Sequence, residues 1–222
     1  MTKTYRLLAI ALVAAWGLVS AFPVASQSTE PTRLAAPAQE VRFLEVARDG
    51  SGVLWAVWEM DSGRDSEIYF SRWMAGGWLP SEPVHRRPLA WDRSPDLAVT
   101  TGGEVWVVWT STDRSDPQKK SIYVSHWTGG RWSAPEAVPL GPVSVENCSR
   151  CGVAKEPSLA AAPDGKLWLA WVGFDGVDDE VYAQSWDGRS WSTPVRVSAD
   201  DSDPTLYDRQ PSIAVGADGT PW

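Results

Sequence analysis

The sequence predicts an all-β protein built from repeated four-stranded antiparallel units, and three observations carry that prediction. The first is local pattern. From Pro157 to Ser198 the chain passes through four short apolar segments, Pro157 to Ala161, Leu167 to Trp171, Val181 to Trp186 and Trp191 to Val195, with turn residues between them. Short apolar runs bounded by Gly, Pro and Asp read as strands. The second is recurrence: Tyr69, Trp73 and Trp78 return at one constant offset as Tyr123, Trp127 and Trp132, and at another as Tyr182, Trp186 and Trp191. The third is order. Leu54-Trp55-Ala56-Val57-Trp58 matches Val105-Trp106-Val107-Val108-Trp109 in the second segment, and Gln210 to Val215, Asp218-Gly219 and Trp222 open a fourth copy. A four-strand unit repeated at this period is the signature of a β-propeller, each unit being one blade.

The elements follow in order. Lys3 and Arg6 precede an uncharged run from Leu7 to Phe22, and the small residues Ala25 and Ser26 suit a signal-peptidase site. The expectation is a signal peptide over 1–26, with a retained membrane anchor as the rival, since the run reaches the ~20 residues that span a bilayer. Residues 27–40, with two prolines and no apolar periodicity, read as a linker. The partial propeller then occupies 41–222, with blades over about 41–87, 88–141 and 142–198 and the start of a fourth over 199–222. A closed propeller has about 4–8 blades. Three and a fraction therefore imply further blades, from a missing C-terminal part or from other copies of the chain.

Blade stacking also explains the tryptophans. Trp55 and Trp58, Trp106 and Trp109, and Trp168 and Trp171 are each three residues apart, so on a strand the two members point to opposite faces. A strand that is apolar on both faces is covered on both sides, as a blade between two blades is. Of the 15 tryptophans, only Trp16 and Trp91 fall outside repeat-matched positions. The 28 acidic residues outnumber the 20 basic ones, for a net charge of −8. Loss of Lys3 and Arg6 with a cleaved leader makes that charge more negative. A nucleic acid or an anionic membrane surface is thereby disfavoured, because both need clustered Lys and Arg to replace counterions.

Strand order sorts the loops. With the four segments running outward from the axis, the turns at Asp49-Gly50, Gly102-Gly103, Asp164-Gly165 and Asp218-Gly219 share one end with the third-to-fourth turns. The second-to-third loops and the inter-repeat connections share the other, and these are longer, charged and irregular. Binding and catalysis concentrate on such loops. Trp91 and Tyr207, both read as inter-repeat loop residues, are candidate sugar platforms.

The third-to-fourth turns read Ser71-x-Trp73-x-Ala75-x-x-Trp78, Ser125-x-Trp127-x-Gly129-x-x-Trp132 and Gln184-x-Trp186-x-Gly188-x-x-Trp191. They resemble the Asp-box, or BNR, repeat of sialidases, S-x-D-x-G-x-T-W, with Trp in place of the Asp in all three copies. The resemblance covers the blades from about Val41 onward and implies a sialidase-like propeller. In that family three arginines clamp a substrate carboxylate, a Tyr with a Glu partner is the nucleophile and an Asp is the acid/base. One of those arginines stands in an aromatic-Arg-Ile-Pro motif. Here Trp91-Asp92-Arg93-Ser94-Pro95 and Tyr207-Asp208-Arg209-Gln210-Pro211 place Arg two before Pro, with a spacer before the Arg and Ser or Gln for Ile. Arg93 and Arg209 are thus the first candidates for a clamp, with Arg150 or Arg87 a weaker third, because a bidentate guanidinium matches a carboxylate. Lys155-Glu156-Pro157 holds the same place in the third repeat, so the basic residue also reads as a blade feature paired with acidic loop residues. Tyr207 is the one loop tyrosine. Asp113 and Asp178 stand for the loop carboxylates, which include Asp61, Asp65, Asp116 and Asp179; solvated turn acids are the commoner reading of that group.

Cys148 and Cys151 are the only cysteines, in the longest inter-repeat connection, and in an exported protein they read as a local disulfide that stiffens the loop. The alternative, a zinc half-site, needs two more ligands, and His85 and His126 are the only histidines. No metal or cofactor is expected. The functional expectation is an exported, extracytoplasmic sialidase-like propeller that recognises glycans; the resemblance implies exo-sialidase kinship, but the residues present do not support hydrolysis. The alternative is a non-catalytic, lectin-like or protein-binding module of the cell envelope.

Overall fold

The computed structural model describes residues 40–61, 63, 65–85, 90–117, 119–140, 153–199 and 208–222. The expectations for the leader, for the linker up to Glu40, which instead begins the first strand, for Cys148 and Cys151, and for Tyr207, Arg87 and Arg150 fall outside the described residues. The first unit is β1 (Glu40–Arg48), β2 (Leu54–Asp61), β3 (Ser66–Met74), β4 (Gly77–Trp78) and β5 (Glu82–Pro83). The second is β6 (Ala90–Val99), β7 (Val105–Asp113), β8 (Lys120–Thr128), β9 (Arg131–Trp132) and β10 (Glu136–Ala137). The third is β11 (Ala154–Ala161), β12 (Leu167–Phe174), β13 (Asp179–Trp186) and β14 (Val195–Arg196). Within each sheet the first, second, third and outer strands are neighbours in sequence order, and all pairings are antiparallel. A bridge between Val215 and Pro221, with amide bonds exchanged by Ala214 and Trp222, opens the fourth unit. The described residues are therefore three blades of a β-propeller and the first hairpin of a fourth.

The outer strand departs from expectation. Instead of one continuous fourth strand there are two short pieces, β4 and β5 on β3 and β9 and β10 on β8. Pro80 and Pro135 interrupt them. A proline offers no ladder donor, so the edge strand breaks there and resumes after it. The turn before the break is closed by tryptophan pairs. Trp73 faces Trp78, Trp127 faces Trp132 and Trp186 faces Trp191, with ring centroids 5.7, 5.5 and 5.6 Å apart. The hydroxyls of Ser71 and Ser125 donate to the carbonyls of Leu79 and Ser133 across that turn.

The tryptophan pairs divide between the faces as the spacing predicts. Trp55 and Val57 of the first blade pack with Val105, Val107 and Trp109 of the second. Val108 and Ile122 of the second pack with Leu167, Leu169 and Trp171 of the third. On each leading face the second Trp lies against the tyrosine of the third strand: Trp58 on Tyr69, Trp109 on Tyr123, Trp171 on Tyr182. These are register partners. Burying one indole removes roughly 150–250 Å² from water, an upper bound of about 4–6 kcal/mol at ~25 cal/mol/Å².

Two positional expectations are corrected. Trp91 is not in a loop; it is the second residue of β6 and pairs with Thr112. Of the residues read as loop carboxylates, Asp61 and Asp113 are the last residues of β2 and β7 and Asp179 is the first of β13, and Asp178, Asp179 and Glu180 are buried. Basic partners described below make that burial tolerable.

Candidate functional site

The first strand of every unit carries the same irregularity. Register shifts lie between Arg42 and Glu45, Arg93 and Asp96, and Lys155 and Ser158. At each shift a non-glycine residue takes a positive φ: Phe43 at 49°, Ser94 at 51°, Glu156 at 53°, and Gln210 at 54° in the fourth unit. L-residues seldom adopt this region, and it costs about 1–3 kcal/mol unless neighbours hold it. Bulges of this kind re-aim side chains and are enriched beside active sites. The residue just before each is basic: Arg42, Arg93, Lys155 and Arg209.

The strained amides are held by the preceding blade. Ser94 N donates to Glu59 Oε2 at 3.1 Å, and Glu156 N donates to Thr110 Oγ1 at 3.1 Å. Glu59 and Thr110 are equivalent positions of β2 and β7. The third blade has Val172 there, which accepts nothing, and Gln210 N instead donates to Glu156 Oε2 at 2.9 Å. A second latch runs nearer the axis. Asp96 Oδ2 accepts from Leu159 N at 2.7 Å and from Ser158 Oγ at 3.1 Å, and Ser158 Oγ in turn accepts from Ile213 N at 3.2 Å.

These first strands enclose an axial cavity of about 490 Å³, onto which Glu45, Asp96, Glu156, Ser158, Gln210 and Ser212 open. Burial pushes the Asp96 carboxyl above its ordinary value, against the pull of the hydrogen bonds from Leu159, Leu97 and Ser158. Burial, and then the charge of Asp96, does the same to Glu45.

Nearer the loop-bearing end the basic residues meet carboxylates. Arg93 Nε lies 3.9 Å from Glu59 Oε1, and Lys155 Nζ and Arg209 Nη2 lie 2.8 and 3.2 Å from Asp179 Oδ2. The guanidiniums of Arg93 and Arg114 each lie 5.8 Å from the ring centroid of Trp91, and Arg114 is ion-paired with Asp65 of the first blade. Trp91 and Arg93 are thus brought together, and Arg209 of the fourth unit joins Lys155 on Asp179 of the third blade. Asp113 is used locally: hydrogen bonds from the Ser115 hydroxyl and amide hold its carboxyl below the ordinary value. Asp178 and Glu180 are buried beside the half-buried Asp175, with acidic atoms within 4.8 Å of one another that offer cation ligands. Arg196 already reaches Asp175 at 3.5 Å and Glu180 at 3.2 Å, and Ser198 donates to Glu180, so the group is a partly buried salt-bridge network. Tyr182 packs on Trp171, and burial followed by the Asp175 charge raises its phenol.

Sequence reasoning named neither Glu59 nor Asp96 nor Arg114. A signal for Asp96 was present, since Arg-Ser-Pro-Asp, Lys-Glu-Pro-Ser and Arg-Gln-Pro-Ser put a short oxygen-bearing residue straight after each proline. Glu59 and Arg114 recur in no other copy, and nothing local marks them.

No protein-family model matches this chain, and neither does any curated protein. Solved structures do resemble it. A protein of unknown function from Dyadobacter fermentans has a TM-score of 0.63 and 13% identity, over 83% of this chain and 61% of that one. An ulvan lyase of polysaccharide lyase family PL25 has a TM-score of 0.51 and 12% identity, over 71% of this chain and 44% of that one. The polysaccharide lyase Uly1 has a TM-score of 0.51 and 8% identity, over 80% of this chain and 43% of that one. This chain thus spans less than two thirds of each, and at such identities the likeness is one of fold.

Proposed function

We propose that this chain recognises glycans at the loop-bearing end of the propeller axis, at the seam between its first and second blades. One observation carries the reading: the Trp91 indole lies with the guanidiniums of Arg93 and Arg114 beside the carboxylates of Glu59 and Asp65. A sugar ring has an apolar C–H face and a rim of hydroxyls that both donate and accept. An indole matches the face, and planar guanidinium–carboxylate pairs match vicinal hydroxyls. The polysaccharide lyases that share the fold make carbohydrate the ligand class to test first.

Within that proposal the turn motif argues for kinship with sialidase-like propellers, and the pairing of the cations argues for binding without hydrolysis. Arg93, Lys155 and Arg209 each face a carboxylate, so a clamp on a sugar carboxylate would first have to displace Glu59 or Asp179. Export belongs to the same proposal. A secreted form beginning near Gln27 supports it, and a cytoplasmic protein that keeps Met1 to Ser26 contradicts it.

The test is a screen of the chain on immobilised neutral and acidic glycans, followed by calorimetry with the best ligand. Trp91→Ala and Arg93→Ala should each weaken binding about tenfold or more, and no fluorophore should be released from a sialoside. Binding equal in both variants, or no glycan retained, contradicts the proposed site. Turnover lost on Arg93→Ala and Arg209→Ala would restore the enzyme reading.

A further inference from the structure

We propose that the opposite, turn-bearing end holds a second site, a slot between the second and third blades that accepts a guanidinium group. The repeat supplies its own comparison. At the first interface, Trp55 and Trp127 lie with ring centroids 5.3 Å apart, and the guanidinium of Arg72 sits 5.2 and 4.8 Å from the two rings. Arg72 is the register partner of Trp55. That slot is filled by the chain itself, and Phe70, 5.5 Å from Trp127, closes it further.

At the second interface the same positions hold Trp106, His126 and Trp186. His126 is the register partner of Trp106 and stacks on it at 4.5 Å, while Trp106 and Trp186 lie 6.2 Å apart. Histidine is shorter than arginine, and Val124 replaces the phenyl of Phe70. A cavity of about 240 Å³ remains, bounded by Trp106, His126, Trp186 and Glu104. Glu104 is exposed, and its Oε2 accepts from Trp106 Nε1 at 3.3 Å, which sets a carboxylate at the mouth. Lys166, next to the lining residues Gly165 and Leu167, is held by Asp164 at 2.8 Å.

Two indoles with an adjacent carboxylate form a cation site, since the ring quadrupoles and the charge act together where water is partly excluded. Guanidinium is the cation that the equivalent slot already holds. Its planar fork stacks on an indole and meets a carboxylate with two donors, which an ammonium does not do. The slot lies at the other end of the blades from the proposed glycan site and stands or falls independently of it.

The experiment is calorimetric titration of the full chain with methylguanidinium chloride against matched sodium chloride. Saturable binding in the millimolar range is expected, at least about tenfold weaker in Trp186→Ala and in Glu104→Gln. The exposed Glu104 keeps the test open should Trp186→Ala fail to fold. His126→Arg should abolish binding and raise Tm, because it rebuilds the occupant of the first interface. The absence of saturable binding overturns the proposal, as does binding undiminished in folded His126→Arg. The peptide acetyl-Gly-Arg-Gly-amide separates two sources: tighter binding than methylguanidinium points to an arginine of a partner protein, equal binding to a free small cation. Equal binding of the citrulline analogue, which lacks the charge, overturns both.

Discussion

Glu59 and Thr110 do one job with different chemistry. Each caps the strained amide of the following blade, but Glu59 is a fully buried carboxylate whose second oxygen lies 3.9 Å from Arg93 Nε. Truncating it strands Ser94 N and removes a charge partner, so Glu59→Ala should lower unfolding stability by about 2–3 kcal/mol, and Thr110→Ala by about 1 kcal/mol, in urea titrations. Asp96 makes a prediction of opposite flavour. Its carboxyl is pushed above 3.8, so the folded state holds the proton more tightly than the unfolded chain does. Its contribution is most favourable below 3.8 and is lost as pH rises through the window above that value. Relative to Asp96→Asn, the parent should lose stability on going from acid toward neutral pH. A difference that stays flat or runs the other way contradicts the burial of Asp96.

At the scale of the element, the first strands are the informative ones. Their positive-φ residues precede proline in three of four units, where an extended conformation is the usual outcome. Ser94→Gly should therefore be close to neutral, within about 1 kcal/mol, whereas Ser94→Val should cost about 2 kcal/mol, since a β-branched residue fits that region worst. Denaturant midpoints of the two variants decide this. The blades themselves were legible because tryptophan spacing is a period-two signal repeated three times. The break in the outer strand was visible only as Pro80 and Pro135, because a two-residue edge leaves no periodicity. Trp91 was misplaced for a related reason: the first strand starts three residues ahead of its bulge, and the Asp and Arg around the indole look like a loop. The pairing of Arg93 with Glu59 joins residues of different blades, and although the basic position repeats, Glu59 is replaced by Thr110 and Val172 in the other copies, so no local pattern announced its partner.

Across the whole molecule, every blade hides a neighbour's flank, and the third blade shows what an uncovered flank looks like. Trp168, Ala170, Val195 and Val197 face a cavity of about 750 Å³ that the opening of the fourth unit only partly fills, and Val195, Val197 and Trp222 are 63, 59 and 79% exposed. Apolar faces of this kind associate. The 222-residue chain should bind a hydrophobic dye and self-associate with rising concentration, and Val197→Lys should reduce both in light scattering. The same geometry separates the two proposed sites, with irregular charged loops at one end of the axis and tight turns at the other. The most direct test of that division is hydrogen exchange of the chain with and without the glycan that it retains best. Slowed exchange at Asp65, Arg114 and Ser115, with the turns at Gly102 and Gly188 unchanged, is the result predicted. Slowing confined to those turns, or to the exposed flank of the third blade, would contradict the glycan site.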